Sequence, residues 1–360
     1  MKKTLLATAL LAGFAGAAHA QSSVTLYGLV DAGFNYAKRD GQSVKGIDSG
    51  LMSQSRFGMR GSEDLGNGLK AIFTLENGFT VDDGQATHQK RLFGRYAYVG
   101  LESAQAGRLT LGRTTNLAFM WAAGVANPFG LSFSTASIGT TFAYNDAVMG
   151  GGRVNNSVYY YSPSFYGVQA AVGYSFNAFQ SGLPGGSESE APGSGKNNRM
   201  IDAGLKYDNG PIKGVLTYQQ VESPLPGTKT FRNLTIGASY DFGVAAIHAG
   251  YAKANNITAA YVGNGPTSPG YNGVIANPGQ FSSDSAYTIG ASAPIGPGKL
   301  YAAWQKATKS KVDGWAIGYT YDLSKRTNLY AFFADNNVRN FIESRDMTYR
   351  QFALGLQHRF

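Results

Sequence analysis

The sequence predicts an all-β protein, a 16-stranded antiparallel transmembrane β-barrel. Three observations predict it. Hydrophobic residues alternate with period two near both ends of the chain. Seven short, turn-like connections alternate with eight longer polar or glycine-rich stretches. The 360 residues include 48 Gly, 22 Tyr and 21 Phe, yet only 15% are charged and none is Cys. Soluble domains carry about 25% charged residues. No apolar run approaches the ~18 residues of a spanning helix. Without cysteine there is no disulfide scaffold or thiolate metal site. The four histidines, His19, His88, His248 and His358, are too scattered for a metal centre. No metal and no cofactor is therefore expected.

Residues 1–20 read as a secretory signal peptide. Lys2 and Lys3 form its positive start, Leu5 to Gly16 its apolar run, and Ala18-His19-Ala20 its cleavage site. Residues 21–360 form the barrel. Without Lys2 and Lys3 the chain carries 29 Lys+Arg against 22 Asp+Glu, a net of +7.

The first strand is expected at Val24–Tyr36. Val24, Leu26, Gly28, Val30, Ala32 and Phe34 share one parity, and alternate residues face opposite sides of a strand. Short turns fall around Leu65–Gly68, Ala104–Gly107, Pro163–Gly167, Asp208–Pro211, Asp241–Gly243, Pro294–Gly298 and Leu323–Arg326. Longer stretches fall near 37–51, 82–91, 114–154, 177–198, 222–231, 254–284, 306–313 and 336–346. This alternation joins sixteen strands and leaves both termini on the short-turn side, the pattern of an outer-membrane barrel. A G-x-x-Y-D motif begins at Gly204, Gly237 and Gly318, each time just before a short turn. Its tyrosine suits a membrane interface and its aspartate starts the turn. The last strand, Met347–Phe360, carries Phe352, Leu354, Leu356 and Phe360 on one parity. It must pair with the first, because lipid leaves no open sheet edge.

The wall charges follow from parity. In the second strand Phe57 and Met59 face lipid, so Arg56 and Arg60 face the lumen. A lipid-facing arginine near mid-membrane costs about 2–4 kcal/mol. In the third strand Glu76 alternates with apolar neighbours and is a candidate inward acid. In the fourth, Tyr96 and Tyr98 are expected outward and Arg95 inward. Arg113 shares parity with Leu109 and Leu111. Either the alternation breaks there or Arg113 does not face the lumen.

The chain resembles the general porins of Gram-negative outer membranes, in particular their β-proteobacterial branch. The resemblance rests on Ser23–Gly28, Ser55–Gly66, Phe93–Leu101, Leu109–Arg113, and Asn156-Ser157-Val158 with Ser162-Pro163. It implies a homotrimer of water-filled channels in lipid and lipopolysaccharide, exported and then inserted by the outer-membrane assembly machinery, which reads Phe360. It also implies that the third loop, about 114–154, folds into the lumen as a constriction. That loop contains Pro128, Phe129 and Gly130; many relatives carry a glutamate between such a proline and phenylalanine. Asp146 is its only acid. Arg56, Arg95 and Arg153 match the family's basic cluster opposite the loop, and Arg113 matches a further wall arginine. A narrow lumen lined by one sign concentrates counter-ions. The expected function is passive diffusion of small hydrophilic solutes, anions preferred.

Two rival functions fit parts of the same sequence. A sugar- or phosphate-specific channel would use loop aromatics (Phe119, Trp121, Phe129, Phe133, Phe142, Tyr144) or a denser basic ladder. A barrel enzyme would need a catalytic constellation, and neither His248 nor His358 has an evident partner in the sequence. Nucleic-acid binding is not expected of an exported chain with dispersed basic residues.

Overall fold

The computed structural model describes residues 23–39, 41–130, 132–133, 136, 152–178, 197–222, 229–256, 283–309, 311–340 and 345–360. The expected signal peptide and Asp146, Phe142 and Tyr144 of the third loop lie outside them. Among the described residues there are seventeen strands. They are β1 (Ser23–Arg39), β2 (Gln42–Ser49), β3 (Arg56–Gly66), β4 (Leu69–Gly78), β5 (Tyr96–Ser103), β6 (Gly107–Thr115), β7 (Arg153–Tyr161), β8 (Val168–Ser175) and β9 (Met200–Asn209). There follow β10 (Ile212–Val221), β11 (Phe231–Asp241), β12 (Ala246–Asn255), β13 (Ser283–Ile295), β14 (Gly298–Ala307), β15 (Val312–Asp322), β16 (Thr327–Asn340) and β17 (Arg345–Arg359).

β3 pairs with β1 over Ser23–Leu29, and β2 pairs with it over Ala32–Arg39. The two therefore share one position beside β1. β3 to β17 then pair in chain order, all antiparallel. β17 returns to β1, from Leu29↔Arg359 to Arg39↔Tyr349. Gly28 and Phe360 exchange two backbone hydrogen bonds of 3.1 Å. The ring is a closed barrel of sixteen positions with no lipid-exposed edge.

Alternation decides which face each side chain takes. Phe57 and Met59, Val99 and Leu101, Leu109 and Leu111, and Phe352, Leu354 and Leu356 are exposed on the outer wall. Their neighbours Thr110, Ala353 and Gln357 are buried inside. All seven short turns lie where the sequence puts them.

Three of the long connections are shorter than expected. Instead of a loop over 37–51, the chain turns after Arg39 and returns as β2. Asn35 Nδ2 donates to Asp48 Oδ2 at 2.6 Å across that hairpin. β14 runs to Ala307 and β15 begins at Val312, so strand residues take both ends of 306–313. β16 reaches Asn340 and β17 begins at Arg345. The physical reason is common to all three. Beyond the hydrocarbon a strand keeps its backbone ladder while both faces meet water, so its apolar alternation fades. Ion pairs replace it, with Lys306 Nζ 3.6 Å from Asp313 and Arg350 Nε 3.0 Å from Asp335.

The apolar core lies inside the barrel. One cluster joins Leu117, Trp121 and Val125 to Tyr159, Tyr161 and Met200 on the wall. The other joins Leu51, Met52, Phe129 and Phe133 to Tyr330 and Phe332. Both glue inserted chain segments to the wall.

Candidate functional site

The first insert is residues 50–55, held by a buried carboxylate. Asp31 accepts hydrogen bonds from Ser53 N (3.0 Å), Met52 N (3.4 Å), Tyr330 Oη (2.7 Å) and Gln357 Nε2 (3.1 Å). The second insert is the third loop, which enters the lumen as the resemblance implies. Asn116 Oδ1 accepts from Phe119 N at 2.7 Å, and a π-turn (Ala118–Ala122) and a short helix α2 (Ala123–Ala126) follow. Asn127 Oδ1 accepts from Phe129 N at 2.9 Å, an Asx turn. Gly130 supplies the positive φ (60°) that reverses the chain.

Wall groups and the first insert fix the loop along this path. Asp202 Oδ2 accepts from Leu117 N (2.7 Å) and from Tyr159 Oη (3.0 Å). His248 Nδ1 lies 3.0 Å from Val125 O, so it carries the proton and donates. Asn127 Nδ2 donates to Thr288 Oγ1 at 2.9 Å, and Phe133 N to Met52 O at 2.7 Å. Thus His248 has a partner that the sequence did not reveal. His358 also has one, with Nδ1 2.9 Å from Thr327 Oγ1.

Glycines on alternate strands make room for the loop. A Cβ at Gly204 (β9) would stand 3.0 Å from Trp121, and one at Gly237 (β11) 2.9 Å from Ala126 Cβ. At Gly290 (β13) it would meet Pro128 at 2.7 Å, and at Gly318 (β15) Phe129 at 3.0 Å. Successive loop residues occupy successive notches. Three of the four are the glycines of the G-x-x-Y-D motif. Phe129 ends the track, stacked on Tyr301 at 5.6 Å and edge-on to Phe133 at 5.3 Å.

Near the loop's root the structure gathers basic side chains. Arg56 points inward, donates to Gln54 O at 3.0 Å, and lies 3.8 Å from Glu76 Oε2. Arg95 Nε pairs with Glu76 Oε1 at 2.6 Å, and its NH1 donates to Gln54 Oε1. Arg153 NH1 donates to Arg95 O at 3.2 Å. Its guanidinium lies over the rings of Tyr96 (4.9 Å) and Phe119 (5.5 Å). At 3% exposure Arg153 is walled in behind the loop, whereas the Arg56 side chain is 28% exposed. Arg60 stands apart from the cluster, over the Tyr27 ring at 5.3 Å.

Arg113 reaches the cluster because the alternation breaks. The β6–β7 register shifts between Gly112 and Thr114, and Gly112 has a φ of 132°. This bulge turns Arg113 inward, where Nε donates to Gly94 O at 2.8 Å and NH1 to Asn155 Oδ1. Arg91 donates to the same Asn155 oxygen at 3.4 Å. The sequence reading missed Arg91, whose only signal was a basic residue ending a loop.

One expectation is corrected. Tyr96 and Tyr98 face the lumen. Val99 and Leu101 hold the lipid parity of β5, and the tyrosine hydroxyls meet Thr115 Oγ1 (3.3 Å) and Thr74 Oγ1 (3.0 Å). Arg95 precedes the strand, so strand parity did not govern it. The inward acid expected in the third strand is present. Glu76 is buried at its centre and accepts from Tyr27 Oη at 2.9 Å as well.

In the second loop a short helix α1 (Thr87–Lys90) brings His88 to the same place. Burial, and then Arg153, Arg95, Arg113 and Arg91, push its imidazole down to about 2. His88 is therefore neutral at working pH. Among the described residues the site holds five guanidiniums, one carboxylate and a neutral imidazole, which is an environment for anions.

A family model described as Gram-negative porin matches residues 7–340. An outer membrane porin protein of Bordetella pertussis is 38% identical over 395 residues, covering 100% of both chains. Outer membrane porin protein 32 of Delftia acidovorans is 36% identical over 372 residues, 99% of this chain and 93% of that one. Among solved structures, an anion-selective porin from Comamonas acidovorans superposes with a TM-score of 0.73 at 28% identity, over 94% of this chain and 100% of the other.

Proposed function

The chain belongs to the Gram-negative porin family, and from that premise we propose an anion-preferring diffusion channel of the outer membrane. Small hydrophilic solutes cross it passively where the third loop narrows the lumen. The observation that carries the reading is the gathering of Arg56, Arg91, Arg95, Arg113 and Arg153 with Glu76 as the one carboxylate among the described residues there. Glu76 pairs with Arg95 at 2.6 Å and lies 3.8 Å from Arg56, so one negative charge is shared among them, and the loop sets no described acid against Arg56. Guanidiniums stay charged in any pore environment. The Comamonas relative described as anion-selective supports the same sign.

Three of the loop aromatics argue for general diffusion over a sugar track. Trp121, Phe129 and Phe133 are buried against the wall and offer no face to a passing solute. By the same reading the channel is one of three in a homotrimer seated in lipid and lipopolysaccharide. Residues 1–20 direct its export, and Phe360 is its assembly signal.

The test is the reversal potential of single channels in a KCl gradient. The wild type should favour chloride. Arg56→Glu moves the constriction by two charge units and should shift the potential toward cation preference, more so in dilute salt, where screening extends beyond about 10 Å. Lys309→Glu makes the same formal change on the outer side and should shift it distinctly less. Equal shifts would put the filter in the outer loops.

A further inference from the structure

Away from the constriction, on the side of the short turns, the lumen wall carries a second basic recess of about 310 Å³. Lys299 (β14), Lys325 and Arg326 (the β15–β16 turn) and Arg359 (β17) line it, with Asp322 as the one acid. The recess is a product of barrel closure. Arg359 N donates to Arg326 O at 2.8 Å, and Arg359 Nε to Gln357 Oε1 at 3.0 Å, which aims the guanidinium along the inner wall.

The register also ties this recess to the constriction. Leu29 is the β1 partner of both Arg359 and Arg56. The two arginines thus flank it one strand away on either side, about 10 Å apart at ordinary strand spacing. That is about a Debye length at physiological salt, so each lies in the other's field. A basic track runs from the recess past Arg56 to Arg95.

One more lining group speaks to ligand chemistry. Asn328 Oδ1 is buried and has no hydrogen-bond partner among the described residues. An acceptor beside four cations suits an anion that also carries a donor. Hydrogen phosphate and phosphomonoester monoanions have such an O–H; sulfate and chloride have none. Buried acceptors left unpaired cost about 1–3 kcal/mol, so the group discriminates among anions of similar size.

We propose that this recess is a binding station for protonated phosphate groups, on the side of the barrel away from the outer loops, which captures the anion and hands it along the basic track. The proposal rests on the anion-preferring reading and adds a substrate class to it. Its test uses whole reconstituted channels with inorganic phosphate as the probe, and potassium sulfate and chloride as references. Current should saturate with phosphate at a lower concentration than with sulfate. Lys299→Gln and Arg326→Gln should each raise the phosphate half-saturation about three- to tenfold, the range for one partly exposed charge-assisted contact. Both should keep the wild-type sign of the KCl reversal potential. Asn328→Leu should remove the preference for phosphate over sulfate while leaving the cations in place. A heat-modifiable band identifies folded variants, and Lys299, distant from the seam, serves if Arg326→Gln does not assemble.

Phosphate current that rises linearly, or half-saturations unmoved by Lys299→Gln, would overturn the station. A cation-preferring wild type in KCl would instead overturn the anion-preferring reading beneath it, so the two failures are separable.

Discussion

Substituting Gly237 should push the constriction loop off the wall. A Cβ there stands 2.9 Å from Ala126 Cβ and 3.0 Å from Val215 Cγ1. Carbon atoms rest at about 3.5–4.0 Å, so Gly237→Ala requires a displacement of about 0.6–1.1 Å. The strand is held by two ladders, whereas the loop is held by single contacts, so the loop gives. His248 then loses its 3.0 Å bond to Val125 O, worth about 1 kcal/mol. Overpacking adds about 1–3 kcal/mol. The loop can move only toward the lumen axis, which narrows the pore. Single-channel conductance in 1 M KCl, about the salt at which charge effects are screened within 3 Å, should fall in the order wild type, Gly237→Ala, Gly237→Leu. Gly214→Leu is the control: it adds a side chain to the next strand, where a Cβ would find only Tyr207 at 3.8 Å. Its conductance should equal the wild type's. Wild-type conductance in Gly237→Leu would refute the seating of the loop in these notches.

Two further outcomes follow from the buried groups. Burial and four arginines hold His88 neutral down to about 2, while an unfolded histidine takes up a proton near pH 6.5. Its contribution to stability is therefore complete above pH 6.5 and lost progressively as pH falls toward 2; denaturant titration at pH 7 and pH 4 should show a smaller acid loss in His88→Gln, and an identical loss would refute it. Asp202→Ala leaves Leu117 N and Tyr159 Oη without their acceptor, at about 1–3 kcal/mol each, so the barrel should assemble but show excess open-channel current noise, with Asp202→Asn intermediate; quiet Asp202→Ala channels would mean that the loop's root is held elsewhere.

The sequence was most informative where lipid imposes its rule. Phe57, Met59, Leu354 and Leu356 declare the outer face because hydrocarbon admits little else. At the rims that rule lapses, and Gln42–Ser49 read as loop although it is β2. Aromatic residues misled for a related reason: Tyr96 and Tyr98 suit lipid or lumen equally, and only the hydroxyl partners decide. Arg113 carried its signal one residue early, in Gly112, whose φ of 132° makes the bulge. The loop's seats were written in the G-x-x-Y-D repeat, but as a turn motif; what the glycine admits is 80 to 190 residues away and beyond any local pattern. Arg359 was missed as a mouth residue because its neighbour Arg56 is reached only through closure.

That closure sets the tolerance of the whole wall. Leu29 and Arg359 are joined across about 330 residues, which as a free loop would cost about 4 kcal/mol more than a four-residue turn. The intervening hairpins absorb that cost step by step, so the first and last strands are delivered to each other by curvature instead of by search. Their meeting then adds up every register before it. A slip of one residue between any two neighbours, from β3 onward, arrives at the seam as a slip of one residue there. It would set Phe352 and Leu354 of β17 against the inward parity of β1. The seam thus works as a parity check on the full circumference, and a miscounted wall is left with two open edges in a solvent that satisfies neither.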